Sequence, residues 1–246
     1  MSGQLALLVP SRGRPRQAAK LAHQIRDTST PGFTVPYFLL DHDDPALDGY
    51  LDEFHQITWP DLMIMITQPG GPRRMGPVLN RAARLLAGGH TWLGFMGDDH
   101  WPRTPGWDRA LCGALDGRPG LAYGNDLFQS QRLPTACVLT ADIVRVLGYM
   151  SPPPLEHLWI DDFWLTLGRA LDNLAYLPNV LIEHRHPAAG KADMDASYEA
   201  SGCSPAQMEA DKIRWDAWRA SDWEATADSP GDRARLLAAL GTGAAA

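Results

Sequence analysis

Three groups of side chains in this 246-residue chain have the types and spacing that chemistry on a charged ligand requires. The first is Asp98-Asp99, followed by His100 and lying directly after the apolar stretch 91–96. Adjacent carboxylates repel one another unless a cation or a basic partner offsets the charge. Divalent ions such as Mg2+ or Mn2+ take oxygen ligands and often share their shell with substrate phosphates. The competing reading makes one of the two acids a helix cap, although Pro102 and Pro105 follow too closely for a helix to begin at once. The second group is Asp161-Asp162, set among Trp159, Ile160, Phe163 and Trp164 at an expected helix start. Asp161 suits an N-cap or a first-turn charge. Asp162 is then one residue inside, near aromatics that raise a carboxyl pKa toward that of a general base. The third is Glu183-His184-Arg185-His186-Pro187. In a strand residues 184 and 186 share a face, so both imidazoles can reach one metal, or each is simply structural. Lys191, Asp193 and Asp195 follow in a loop opened by Gly190.

These groups have to be held by a scaffold, and the hydrophobic pattern predicts one. Residues 5–9, 35–40, 62–67 and 91–96 read as buried strands, with helices over about 14–27 and 76–87. Strands alternating with helices over the first hundred residues predict a mostly parallel α/β sheet with helices on both faces. Ligands bind such sheets at the carboxyl ends of the strands. Those ends carry Pro10-Ser11-Arg12, Asp41 to Asp44, and Asp98-Asp99-His100. The second half predicts helices near 105–115, 141–147, from 160 and over 204–224, with strands near 121–123, 136–139 and 180–182. One domain over 1–203 is expected, dividing near residue 100. A helical C-terminal extension over 204–246 is expected to fray from about residue 228.

Composition narrows the ligand. A net charge of −7 argues against a broad electrostatic grip on nucleic acid. The only basic clusters are Arg12, Arg14, Arg16 and Arg73-Arg74, beside Gly and Pro in expected loops. That distribution fits a small anion such as a nucleoside diphosphate. Cys112, Cys137 and Cys203 form neither a metal-ligand spacing nor a disulfide framework. With no apolar stretch long enough to span a bilayer, a cytoplasmic protein without a membrane partner is expected. No G-x-G-x-x-G, Walker or G-x-S-x-G motif is present.

Taken in order over about residues 4–200, these pieces resemble the family 2-like glycosyltransferases of the GT-A fold. The opening Leu7-Leu8-Val9-Pro10-Ser11-Arg12-Gly13 is similar to that family's first strand and nucleotide loop, and Asp41 falls where the base is held. Residues 73–81, with Gly76 and Asn80, resemble the helix before the DxD strand, and 95–100 the DxD region. Gly148-Tyr149, Asp161-Asp162, Leu177-Pro178-Asn179-Val180 and His184 follow the family's later order. Gly97 stands at the usual first acid and Asp161 at the usual Glu. The stretch 183–198 is also similar to a subgroup common in bacteriophage genomes.

The resemblance implies transfer of a sugar from a nucleoside-diphosphate sugar to an acceptor hydroxyl on DNA, protein or glycan. It makes 1–100 the nucleotide-binding half and 101–203 the acceptor-binding half. It places the donor on Pro10, Ser11, Arg12, Asp41, Arg73, Asp98 and Lys191, with Mn2+ or Mg2+ on Asp99 and His184 or His186. Asp162, assisted by Asp161, takes the place of the inverting base. A nucleotidyltransferase on a related sheet and a non-catalytic carbohydrate- or nucleic-acid-binding module are the alternatives.

Overall fold

The N-terminal apolar run becomes β1 (Leu5–Ser11) in the computed structural model, which describes residues 3–71, 74–191, 205–227 and 229–241. Leu5, Leu7 and Val9 join one hydrophobic core while Ala6 and Leu8 join a second. Side chains alternate along a strand, so a run without polar interruption is what a strand covered on both faces requires.

The remaining strands are β2 (Thr34–Leu40), β3 (Met63–Ile66), β4 (Trp92–Phe95), β5 (His100–Pro102), β6 (Leu121–Asn125), β7 (Cys137–Thr140) and β8 (Leu174–His184). They form one eight-stranded sheet in the order β3-β2-β1-β4-β7-β6-β8-β5. β1 is parallel to β2 and β4, β2 to β3, and β6 to β8. β7 is antiparallel to its neighbours β4 and β6, and β5 is antiparallel to β8. The sheet is therefore mixed, with β5 and β7 running against the other six strands.

Helices α1 (Pro15–Thr28), α2 (Leu47–His55) and α4 (Trp107–Gly113) bury their apolar sides in the core of Leu5 and Leu7. Helices α3 (Met75–Leu86), α5 (Ala141–Leu147) and α6 (Ile160–Ala170) pack into the core of Ala6 and Leu8. α1 begins on Pro15, where a missing N–H costs nothing, and its buried Ala18, Leu21, Ala22 and Ile25 recur at helical spacing.

Three features depart from expectation. Residues 100–102 form a strand, because their backbone pairs with the distant end of β8. β8 starts at Leu174, well before the expected 180, and Pro178 sits where its pairing with β6 jumps from Leu177 to Leu181. A proline, which cannot donate to the ladder, is tolerated at such an irregularity. The C-terminal extension, expected to fray from about 228, carries a further helix over 231–240. Beyond α7 (Pro205–Trp218) lies α8 (Gly231–Leu240), with Leu236 fully buried and Tyr149 donating a hydrogen bond to Asp232. That helix is held by long-range contacts to the α5 region, which local periodicity does not show.

The extension is fastened by aromatics. A π-turn over Arg219–Trp223 follows α7, closed by Glu224 N–H donating to the Arg219 carbonyl at 3.2 Å. The extra residue in the turn brings Trp223 into the core beside Trp218. Both indoles meet the Phe163 ring of α6 edge-on, at 5.5 Å for Trp218 and 5.9 Å for Trp223. Trp223→Ala is expected to cost about 3–5 kcal/mol by cavity formation, seen as a lower urea midpoint. An unchanged midpoint would mean that the extension does not share the core.

Candidate active site

The carboxyl ends of the parallel strands meet at one edge of the sheet, as chain direction dictates. Ser11 ends β1, Asp41 follows β2, Gly97 to Asp99 follow β4, and His184 ends β8. All of these residues line one cleft of about 960 Å3.

On its β1 side, the buried Asp98 accepts hydrogen bonds from Ser11 Oγ (2.6 Å) and Arg14 Nη1 (3.1 Å). Burial pushes the Asp98 pKa up to about 6 and the charge of Asp99 adds to this, while Arg14 and Ser11 oppose it. At the rim, Arg12 Nη1 bridges Asp41 (3.0 Å) and Asp43 (2.7 Å). Asp44 accepts from the backbone N–H of Gly13 (2.7 Å) and of Ala46 (2.9 Å). The exposed Arg12 pairs add little stability; together with Asp44 they fix the loop after β1 to the loop after β2.

Asp99 is the centre of the deeper part. Its Oδ1 lies 3.2 Å from His100 Nδ1 and its Oδ2 3.3 Å from His184 Nε2. The β5–β8 pairing sets His100 directly opposite His184, with the two rings stacked at 4.1 Å. Ligand atoms of Asp99, His100 and His184 all lie within 4.8 Å of one another. Gly97 N–H donates to His100 Nδ1 (3.0 Å), which leaves that nitrogen without a proton to offer Asp99. His100 Nε2 and His184 Nδ1 are buried without a hydrogen-bond partner. Burial lowers the His184 pKa and the neighbouring His100 lowers it further, which favours the neutral, ligating imidazole. A carboxylate and two imidazoles with ligand atoms converging within 4.8 Å form a donor set that fits a divalent cation. Behind His184 stands Asp126, with Oδ2 3.9 Å from Nδ1 and Oδ1 held by the N–H groups of Phe128, Gln129 and Ser130.

The opposite chain segment supplies the acids of α6. Trp159, with φ +67°, precedes the helix, so neither aspartate is the N-cap; Asp161 and Asp162 lie in the first turn. Consecutive helical residues point about 100° apart. Asp161 lines the cleft, whereas Asp162 is not among the lining residues and lies within electrostatic reach of Lys212 on α7. Burial, then the charge of Asp162, raises the Asp161 pKa to about 6. Burial also raises that of Asp162. His157, Leu158 and Arg74 complete this wall.

No protein-family model matches the chain, and no curated protein sequence does. Solved structures do. The mannosyltransferase PcManGT from Pyrobaculum calidifontis, in complex with GDP-Man and Mn2+, superposes with a TM-score of 0.57 at 11% identity, over 97% of this chain and 79% of that one. S. aureus TarS 1-349 superposes at 0.54 and 12% identity, over 96% and 81%. Glucosyl-3-phosphoglycerate synthase from Mycobacterium tuberculosis, with Mn2+, UDP-Glc and phosphoglyceric acid, gives 0.54 and 14% identity, over 86% and 79%. The fold is the GT-A fold.

Within this GT-A scaffold the sequence-predicted residues divide. Pro10, Ser11, Arg12, Asp41, Asp98, Asp99, Asp161, His184 and His186 all line the cleft. His186 lies past the end of β8, its ring stacked on Phe128 and 5.1 Å from the His184 ring. Lys191 Nζ pairs with Glu183 Oε1 (3.3 Å) and donates to the Leu127 carbonyl. Arg73, with Asp193 and Asp195, lies outside the described residues; its neighbour Arg74 lines the cleft. Trp107 is core, Trp164 is buried but lines the floor of the cleft, and Trp101 lies under Arg103 and Arg185. Sequence reasoning gave no specific role to His100, Arg14 or Asp126, because the partners that bring them into the site, His184 for His100 and Asp126 and Asp98 for Arg14, are more than fifty residues away. The acidic and imidazole types were the only available signal. Asp99→Ala is expected to abolish Mn2+ binding, and His184→Ala to weaken it at least about tenfold, as read by electron spin resonance of free Mn2+. Wild-type binding by both variants would exclude the cluster as the cation site.

Proposed function

We propose that the chain is a divalent-metal-dependent glycosyltransferase that moves a sugar from a nucleoside-diphosphate sugar to an acceptor hydroxyl with inversion. One observation carries the reading: on a GT-A sheet, the cluster of Asp99, His100 and His184 shares a cleft with Asp161, a carboxylate suited to accept a proton. The nucleoside is assigned to Pro10, Ser11, Arg12 and Asp41, and the donor sugar or ribose to Asp98. Arg73 or its neighbour Arg74, which lines the cleft, is assigned as added positive charge.

Asp99 and His184, with His100 as a further candidate, would hold the cation. Two imidazoles favour Mn2+ over Mg2+, which prefers an all-oxygen shell. Bound there, the ion supplies positive charge against the negative charge that grows on the departing nucleoside diphosphate. Asp161 accepts the acceptor hydroxyl's proton as that oxygen attacks the anomeric carbon. Asp162, the base expected from the resemblance, supports Asp161 from the same helical turn by raising its pKa.

Two measurements test this. UDP-Glc, UDP-GlcNAc or GDP-Man is expected to raise the melting temperature only with Mn2+ present, and turnover to release a nucleoside diphosphate. Stabilisation by nucleoside triphosphates alone, with release of pyrophosphate, would point instead to a nucleotidyltransferase. Asp161→Asn is expected to lower kcat by about 100-fold or more, and Asp162→Asn by roughly a tenth as much. The reverse ranking returns the base to Asp162. With the Asp161 carboxyl near 6, it is protonated below that pH and cannot accept a proton. The rate is therefore expected to fall as pH drops through about 6, and a flat profile would remove Asp161 from the proton transfer.

A further inference from the structure

We infer that Asp211, on the C-terminal helix α7, is a positioning residue that fixes the cleft wall of residues 156–159 and so the direction in which α6 presents Asp161. The activity arm of this inference rests on the glycosyltransferase reading; the geometric arm does not.

Asp211 is fully buried. Its Oδ2 accepts the backbone N–H groups of His157 (3.1 Å) and Leu158 (2.9 Å), and its Oδ1 faces that of Glu156 at 3.5 Å. Arg214 pairs with the same carboxylate (2.8 Å) and reaches Glu156 Oε1 (3.3 Å). A buried charge is costly unless paired and hydrogen-bonded, and here the donors are consecutive amides of the segment whose side chains His157 and Leu158 line the cleft.

The residue at the junction is under strain. Trp159 holds φ +67° directly before α6, a left-handed conformation that costs a non-glycine residue free energy and persists only where surroundings enforce it. The enforcement comes from α7: Trp159 Nε1 donates to the Met208 carbonyl (3.3 Å), and the Lys212 ammonium lies 5.4 Å from its ring centroid. The segment is pinned independently on its other side. Gly76 N–H of α3 donates to the Glu156 carbonyl (2.9 Å), and a Cβ at Gly76 would come within 2.3 Å of the Leu155 carbonyl oxygen. Upstream, buried Asn80 accepts from the N–H groups of Met150 and Ser151, each at 2.8 Å. Asp211 thus holds the one end of this strap that leads into the cleft acids.

Asp211→Asn keeps the shape and loses the charge. Hydrogen exchange of the amides at 157 and 158 is expected to accelerate at least about tenfold, with β1 and β4 unchanged. Affinity for UDP or GDP with Mn2+ should stay within about twofold, while kcat for donor turnover falls at least about tenfold. Unchanged exchange at 157 and 158, or acceleration spread evenly over the sheet, would overturn the inference. So would loss of nucleotide affinity in step with kcat. If this variant does not fold, Arg214→Gln weakens the same carboxylate more gently. A smaller acceleration at the same two amides supports the inference, and wild-type exchange there refutes it. Should the wild-type chain turn over no nucleotide sugar, the glycosyltransferase reading falls while the exchange result stands.

Discussion

Carboxylates gathered at one edge of a buried sheet repel one another, and the site is organised around relieving that repulsion. Asp98, Asp99 and Asp161 all line the same cleft, two of them with pKa values raised to about 6 by burial and by a neighbouring acid. Each is offset in a different way. Asp98 takes Arg14 and Ser11 from the first strand and helix. Asp99 faces two imidazoles from strands that meet antiparallel, and a cation held among the three would complete its offset. Asp161 takes the N–H of Asp162 in the first turn of a helix, where the dipole favours negative charge. Ligand atoms of Asp99, His100 and His184 within 4.8 Å of one another leave the middle of this arrangement suited to a cation.

The same constraint explains why the second half of the chain is less regular than the first. A purely parallel sheet would bring its strand ends to the edge and stop there. The reversed β5 folds back from Asp99 along β8 and carries His100 onto His184. Irregular pairing beside Pro178 lets β8 continue past that proline to His184. The C-terminal helices supply the remaining support: an aromatic cluster holds Phe163 of α6, and Asp211 holds the backbone just before it. The extension is thus part of the wall carrying the cleft acids.

The legible part of the protein was what local pattern encodes. The apolar runs at 5–9, 35–40 and 91–96 required burial on both faces and so a covered sheet, and chain direction then put Ser11, Asp41 and Asp98-Asp99 at one edge. Illegible were the contacts closed across long separations. His100 meets His184, Arg14 meets Asp98, and Asp211 meets His157 and Leu158, each through an approach of strands or helices that no local spacing records. The helix at 231–240 went unseen for the same reason, since its buried Leu236 depends on contacts elsewhere in the chain.

The sequence by itself determined the element order, the α/β class and the types of side chain at the strand ends, because hydrophobic period and strand direction are local properties. Tertiary structure alone decided which of those side chains act together. It set His184 beside Asp99 and against the His100 ring, and it placed Asp161 on the cleft wall. The physical reason is angular. Adjacent residues differ by about 100° on a helix and by opposite faces on a strand, so a pair written side by side in sequence is separated by the fold that receives it.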